Sequence, residues 1–155
     1  VNPNNQPDLA QYSYCVERQL KPEARKDIIE LFDELDITPN AMIDISDGLS
    51  SEIFHLCKAS GVGCNIYEEK LPADPQTISI SEEFKINSTT VLLNGGEDYE
   101  LLMAIKTDDY DKIKSHPFLT PIGHFTDQKE FCNLTTGLGQ SIKLEAQGWK
   151  IFNED

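Results

Sequence analysis

The sequence is poor in basic residues and has no long apolar run. It has 155 residues, and its 13 Lys and Arg face 27 Asp and Glu, which gives a formal net charge of −14. Nucleic acids and anionic membranes attract clustered cations, so neither is an expected partner. Its clearest apolar run, residues 101–105, falls far short of the ~18 residues that cross a bilayer. With no leader pattern at its start, we expect a cytoplasmic protein.

Paired cysteines are also lacking. Cys15, Cys57, Cys64 and Cys132 stand apart, without a C-x-x-C pair or a histidine at zinc-site spacing. A chain of this length, 39% hydrophobic, can form a core without disulfides. We therefore expect thiols that are buried or have no chemical role.

Several familiar catalytic patterns are absent as well. There is no G-x-x-x-x-G-K-S/T phosphate loop, no G-x-G-x-x-G fingerprint and no nucleophile elbow. The three histidines, His55, His116 and His124, share no spacing with another ligand, which favours structural or surface roles. Covalent acyl chemistry is therefore without support.

The arrangement of apolar residues predicts a mixed α and β domain. Residues 1–13 are rich in Asn, Pro and Gln, so we interpret them as a tail or linker before a domain spanning 14–155. Apolar periodicity predicts helices from Pro22 to Leu35, from Leu49 to Ser60 with Gly61 as its end, and over 108–115. Strands are predicted at 41–43, 63–67, 90–93, 99–105, 120–125 and 131–135.

These elements do not alternate regularly along the chain. A doubly wound parallel sheet requires such alternation, whereas mixed blocks are typical of α+β proteins. We therefore expect an α+β fold, a layered α/β sandwich with a mixed sheet flanked by helices.

The first candidate site lies where a predicted strand passes into a helix. Asp44, Ser46 and Asp47 precede Gly48, which allows close approach of another backbone or a ligand. Two carboxylates with a hydroxyl between them form a hard oxygen cluster, the kind that suits Mg²⁺. The alternative is that Ser46 or Asp47 caps the helix and Asp44 is a solvated strand end.

The second candidate site is a glycine pair followed by two acids, between two predicted strands. Gly95 and Gly96 permit a tight turn that presents backbone N–H groups, and Glu97 and Asp98 place carboxylates at the edge of a sheet. The alternative is a glycine hairpin with acidic residues at its exit.

Together, the segments AMIDISDGLSSEIFHLCKASGVG and LLNGGEDYELLMAI resemble the C-terminal half of thiamine-monophosphate kinases. That superfamily also includes aminoimidazole ribonucleotide synthase and selenophosphate synthetase. The resemblance extends from about residue 21 to residue 155. It implies the C-terminal domain fold of aminoimidazole ribonucleotide synthase, and ATP-dependent phosphorylation of thiamine monophosphate to thiamine diphosphate.

The resemblance also implies residue roles. Asp44 and Asp47 would be Mg²⁺ ligands, Ser46 would contact ATP, and Glu97 and Trp149 would contact the thiamine substrate. No strong general base is implied, because the attacking phosphate oxygen is already anionic. Metal ions would neutralise part of the negative charge and so allow an acidic protein to bind two acidic substrates. On its own, Trp149 is interpreted as a core or lid anchor, and the alternative is an aromatic that stacks on a flat heteroaromatic ring.

The family's N-terminal domain has no counterpart in these residues, and the chain opens on Val1 rather than Met. We therefore expect one part of a longer kinase that forms a homodimer, with little or no activity in this chain alone. Two alternatives remain open. One is a related ATP-dependent enzyme such as aminoimidazole ribonucleotide synthase, and the other is a non-catalytic acidic module for metal binding or interaction.

Overall fold

A computed structural model describes residues 10–129 and 131–146. The helices are α1 (Ser13–Leu20), α2 (Lys26–Glu34), α3 (Leu49–Ser60), α4 (Pro75–Glu83), α5 (Ser88–Asn94) and α6 (Tyr110–Ile113). The strands are β1 (Ala41–Asp44), β2 (Gly63–Tyr67), β3 (Leu101–Ala104), β4 (Gly123–Thr126), β5 (Cys132–Thr135) and β6 (Ser141–Lys143). Short 3-10 turns occupy Ala10–Tyr12, Glu68–Lys70 and Thr107–Asp109.

The strands form two sheets. The larger has the order β4-β2-β5-β6, with β2 parallel to β5 and the other neighbours antiparallel. The smaller is the antiparallel pair β1-β3. Helices accompany both sheets, so the expected α+β fold with a mixed sheet is confirmed.

Helix α3 covers one face of the larger sheet. Leu49, Ile53 and Cys57 recur every four residues, so they share one face of the helix. They join a buried cluster with the inward residues of the sheet and its surroundings: Cys64, Ile66, Leu71, Leu93, Cys132, Leu134 and Leu144. Gly61 ends the helix in the left-handed region at φ 64°, as the sequence predicts.

A second apolar cluster holds α2 against the smaller sheet. Ile28 and Phe32 of α2 are buried with Ile37, Ile113 and Leu119. Side chains of β3 pack against this cluster. Side chains in and next to β1 and β3 pack against both clusters. This packing fixes the position of the ends of these two strands.

One predicted strand is wrong. Residues 90–93 lie in helix α5, although their Thr and Val residues favour strands. The Asn87 side chain accepts a hydrogen bond from the Thr90 N–H at 2.9 Å and so caps the helix. Packing of α5 against α3 adds the tertiary contacts that override local strand preference.

Two helices and one strand were not predicted, namely α1, α4 and β6. The beginning of α4 has a clear local signal, since the Asp74 side chain accepts from the Gln76 N–H at 2.8 Å and Pro75 follows it. Helix α2 also begins at Lys26, later than the predicted Pro22, with Arg25 at its N-cap.

Within the described residues, no helix combines the length and the apolar character that crossing a membrane requires.

Candidate functional site

The two acidic motifs meet at the joined ends of β1 and β3. In the antiparallel register Asp44 pairs with Leu101, so the end of β1 lies beside the start of β3. The pairing continues past both strands: the Ile45 N–H donates to the Glu100 carbonyl at 2.8 Å, and the Tyr99 N–H donates to the Ile45 carbonyl at 3.0 Å. The first motif (residues 44–48) and the second motif (residues 94–100) lie about fifty positions apart in the chain. They thus meet side by side, and together they are called the loop pair.

The glycines of both motifs allow this close approach. A Cβ on Gly96 would lie 2.4 Å from the Ser46 carbonyl oxygen, a distance that real Cβ atoms do not adopt. Gly48 has φ 117° and faces the backbone of Asn94, whose carbonyl carbon would be 3.0 Å from an added Cβ. The Glu97 N–H also donates to the Ser46 carbonyl at 2.7 Å. Each motif therefore supplies a glycine that packs against the other motif.

The candidate metal ligands, Asp44 and Asp47, are both exposed at this loop pair. Neither forms an ion pair within the described part of the chain. Two exposed carboxylates without a protein cation can approach a hydrated Mg²⁺ and keep several of its waters. By ligand type the two side chains therefore suit such an ion, because Mg²⁺ prefers oxygen ligands.

The helix-capping alternative is not supported by the contacts. Gly48 occupies the N-cap of α3, and no side chain caps the helix there. Ser46 is half-buried, and its hydroxyl instead donates to the Glu52 carboxylate at 3.3 Å.

Glu52 is a residue of this site that sequence reasoning missed. It lies in the first turn of α3 and is only 2% exposed. Its Oε1 accepts from the Ser46 hydroxyl and, at 3.0 Å, from the Asp47 N–H. A buried carboxylate thus fixes the loop that carries both candidate metal ligands.

Glu97 is exposed, and its backbone lies in the left-handed region at φ 61°. The Gln19 side-chain N–H donates to its Oε2 at 2.7 Å. Its neighbour Glu100 forms ion pairs with Arg18 and Arg25. Helix α1, which the sequence did not predict, therefore contacts the second motif through two side chains.

The pKa of Asp98 is raised above its usual value. Desolvation by surrounding protein atoms raises its pKa, although the side chain is exposed overall, and the charge of Glu100 adds to the rise. The charge of Arg18 opposes it. Asp98 consequently holds a proton more readily than a free aspartate does.

The glycine-hairpin alternative is wrong. Gly95 and Gly96 connect α5 to β3, and the partner of β3 is β1 rather than a neighbouring strand in sequence. The strand predicted before the glycines is this same helix. The remaining candidate substrate residue, Trp149, lies outside the described residues.

Curated thiamine-monophosphate kinases are similar to most of this chain. The chain is 34% identical over 140 residues to the thiamine-monophosphate kinase of Aquifex aeolicus, a match to 88% of this chain and 41% of the relative. The thiamine-monophosphate kinase of Escherichia coli is 34% identical over 153 residues, covering 94% and 44%. The chain therefore spans less than half the length of these relatives. No protein-family model matches it.

Two solved structures are similar to this chain. AaThiL complexed with AMPPCP and TMP superimposes with a TM-score of 0.75 at 31% identity, over 96% of this chain and 44% of that one. HypE of E. coli, a hydrogenase maturation protein, has a TM-score of 0.65 at 20% identity and covers 80% of this chain and 40% of its own. The second likeness concerns the fold alone.

Proposed function

Because this chain belongs to the thiamine-monophosphate kinase family, we propose that it supplies part of the site where ATP phosphorylates thiamine monophosphate to thiamine diphosphate. The observation that carries the proposal is the meeting of the two acidic motifs at the joined ends of β1 and β3. The related AaThiL structure, described as a complex with AMPPCP and TMP, supports a nucleotide and thiamine monophosphate as ligands.

Asp44 and Asp47 are proposed to hold Mg²⁺. Bound there, the ion would supply charge neutralisation for phosphate oxygens. The chain's own contribution is to fix both carboxylates on one loop, through the buried Glu52 carboxylate and the backbone pairing with the second motif. A net charge of −14 opposes phosphorylated ligands, and a bound cation would reduce that repulsion.

Three further residues are proposed to contact the substrates. Ser46 would contact ATP with its half-buried hydroxyl, and Glu97 would meet the cationic part of thiamine with a carboxylate that Gln19 orients. Trp149, which is not among the described residues, would stack on the substrate. No group of the chain is assigned as a base, because a phosphate nucleophile is anionic near neutral pH.

The complete kinase is proposed to be a cytoplasmic homodimer. Its N-terminal domain would supply the remaining residues of the active site. The relatives are more than twice as long as the matched segment, which supports an active site shared with residues beyond this chain. This 155-residue chain alone should accordingly form little or no thiamine diphosphate.

The test is thiamine diphosphate formation from ATP and thiamine monophosphate by the longer protein that contains this chain. Asp44→Asn and Asp47→Asn should each lower kcat by about 100-fold or more, because removing one charge-stabilising group costs that much in comparable sites. Raising the Mg²⁺ concentration should partly restore each variant. Asp108→Asn, at an exposed acid in another loop, is the matched control and should keep full activity.

Two results would contradict the proposal. Equal loss in all three variants would point to a general effect of surface charge. Turnover of an aminoimidazole precursor in place of thiamine monophosphate would favour the related synthase.

A further inference from the structure

Three cysteines that lie far apart in the sequence meet in the core. Cys57 of α3, Cys64 of β2 and Cys132 of β5 have sulfur atoms that all lie within 4.8 Å of one another. Each side chain is no more than 3% exposed. The sequence predicted separate thiols because their spacing matches no metal motif. The parallel register of β2 and β5, which pairs Cys64 with Cys132, produces the cluster.

The pKa values of Cys57 and Cys64 are raised, so these two thiols ionise less readily than free cysteines. Burial raises the pKa of Cys57 to about 11, and contact with Cys132 adds to the rise. Burial likewise raises the pKa of Cys64 well above its usual range. Cys57 and Cys64 therefore offer neutral, soft sulfur ligands in a buried environment rather than preformed thiolates.

These features discriminate among thiophilic ions. Among the described residues, no histidine or carboxylate joins the three sulfurs, whereas structural Zn²⁺ sites are almost always four-coordinate. Cu⁺ bound by several thiolates leaves a net negative charge, which is costly to bury in an apolar core. Trivalent arsenic forms three bonds and takes up to three sulfur ligands, and its three-sulfur product is neutral.

We propose that Cys57, Cys64 and Cys132 form a three-sulfur binding site for trivalent arsenic. Arsenous acid, As(OH)₃, reacts with three thiols to give As(SR)₃ and three waters. Three As–O bonds break and three As–S bonds form, each thiol proton leaves in a water molecule, and no atom is oxidised or reduced. Arsenous acid is uncharged at neutral pH, so the acidity of the chain does not oppose its entry.

The geometry needs only a small adjustment. The three sulfurs already lie within 4.8 Å of one another, and bonding to a common arsenic atom would hold them closer than that limit. The product would connect α3 to β2 and β5. Because the thiols are buried, uptake requires local opening of the core and is expected to be slow and accelerated by mild denaturant.

The experiment incubates the reduced 155-residue chain with arsenite, removes free arsenite by gel filtration, and determines bound arsenic by native mass spectrometry. The expected product has the mass of one arsenic atom added and three hydrogens lost. Cys57→Ala, Cys64→Ala and Cys132→Ala should each lower retained arsenic by at least about tenfold. Cys15→Ala is the matched control and should retain it fully, since Cys15 lies elsewhere, beside Thr77.

X-ray absorption at the arsenic edge of the wild-type chain should show three sulfur neighbours and no oxygen. This measurement decides the matter even where an alanine variant fails to fold. The proposal is overturned by an oxygen neighbour, by retention in any of the three core variants, by loss in Cys15→Ala, or by no uptake under mild denaturant.

Discussion

At the scale of single residues, Glu52 has the clearest energetic role. Replacing it by Leu removes the buried acceptor of the half-buried Ser46 hydroxyl and of the Asp47 N–H. We expect Glu52→Leu to lower the free energy of unfolding by about 2–4 kcal/mol in urea denaturation. Glu52→Gln keeps a carbonyl oxygen as acceptor and should cost distinctly less.

The control for this prediction is Glu69→Leu, at an exposed glutamate, which should change stability little. If Glu52→Leu proves as stable as Glu52→Gln, the carboxylate does not hold the loop.

A second residue gives a pH-dependent prediction. The Glu68 carboxylate accepts from the Thr89 hydroxyl at 2.5 Å and from the Gly137 N–H at 2.9 Å, and these hydrogen bonds lower its pKa from the usual 4.5. A lowered pKa in the folded state adds stability above pH 4.5, and this contribution is lost as the pH falls below it.

Glu68→Gln should therefore destabilise the chain by about 1 kcal/mol at pH 7. Thermal unfolding at a series of pH values should show the difference from wild type shrinking as the pH falls below 4.5. A difference that grows toward acid would refute the assignment.

Local sequence patterns predict some site residues and not others. Asp44, Ser46, Asp47 and Glu97 could be proposed because acids beside glycines at element boundaries form a local pattern. Glu52 resembles an ordinary polar residue in the first turn of a helix. Its burial depends on contacts with a loop, which no local pattern reports.

At the scale of elements, the strength of local signals decides what can be predicted. Helix α3 was predicted with its observed bounds, because its apolar face and its terminal Gly61 are both local. The residues of helix α5 favour a strand, and the local signal for a helix is limited to the Asn87 cap. The pairing of β1 with β3 is non-local, so the joining of the two motifs could not be derived from the sequence.

This joining gives a prediction with a matched control. Gly96→Ala would place a Cβ against the Ser46 carbonyl, and the two loops would have to separate, at a cost of about 1–3 kcal/mol. Gly137→Ala meets no atom within 4 Å and should be nearly neutral. Chemical denaturation of both variants compares the costs. Equal stability would mean that the loops do not approach each other as described.

At the scale of the whole molecule, charge and length have linked consequences. The net charge of −14 opposes phosphorylated ligands, and the chain spans only 41% of the Aquifex relative it matches. Both facts are consistent with a chain that forms part of a larger active site. Bound cations would reduce the repulsion between this acidic chain and phosphorylated ligands there. The first motif is therefore expected to hold a divalent cation through Asp44 and Asp47, at the point where the second motif meets it.

Backbone amide NMR of the chain with substoichiometric Mn²⁺ tests this claim most directly, because Mn²⁺ accepts the same oxygen ligands as Mg²⁺ and broadens nearby signals. The account predicts that amides of residues 44–48 and 96–98 broaden first and together, and that Asp44→Asn combined with Asp47→Asn abolishes this effect. Broadening spread evenly over the acidic surface, or confined to one motif, would contradict it.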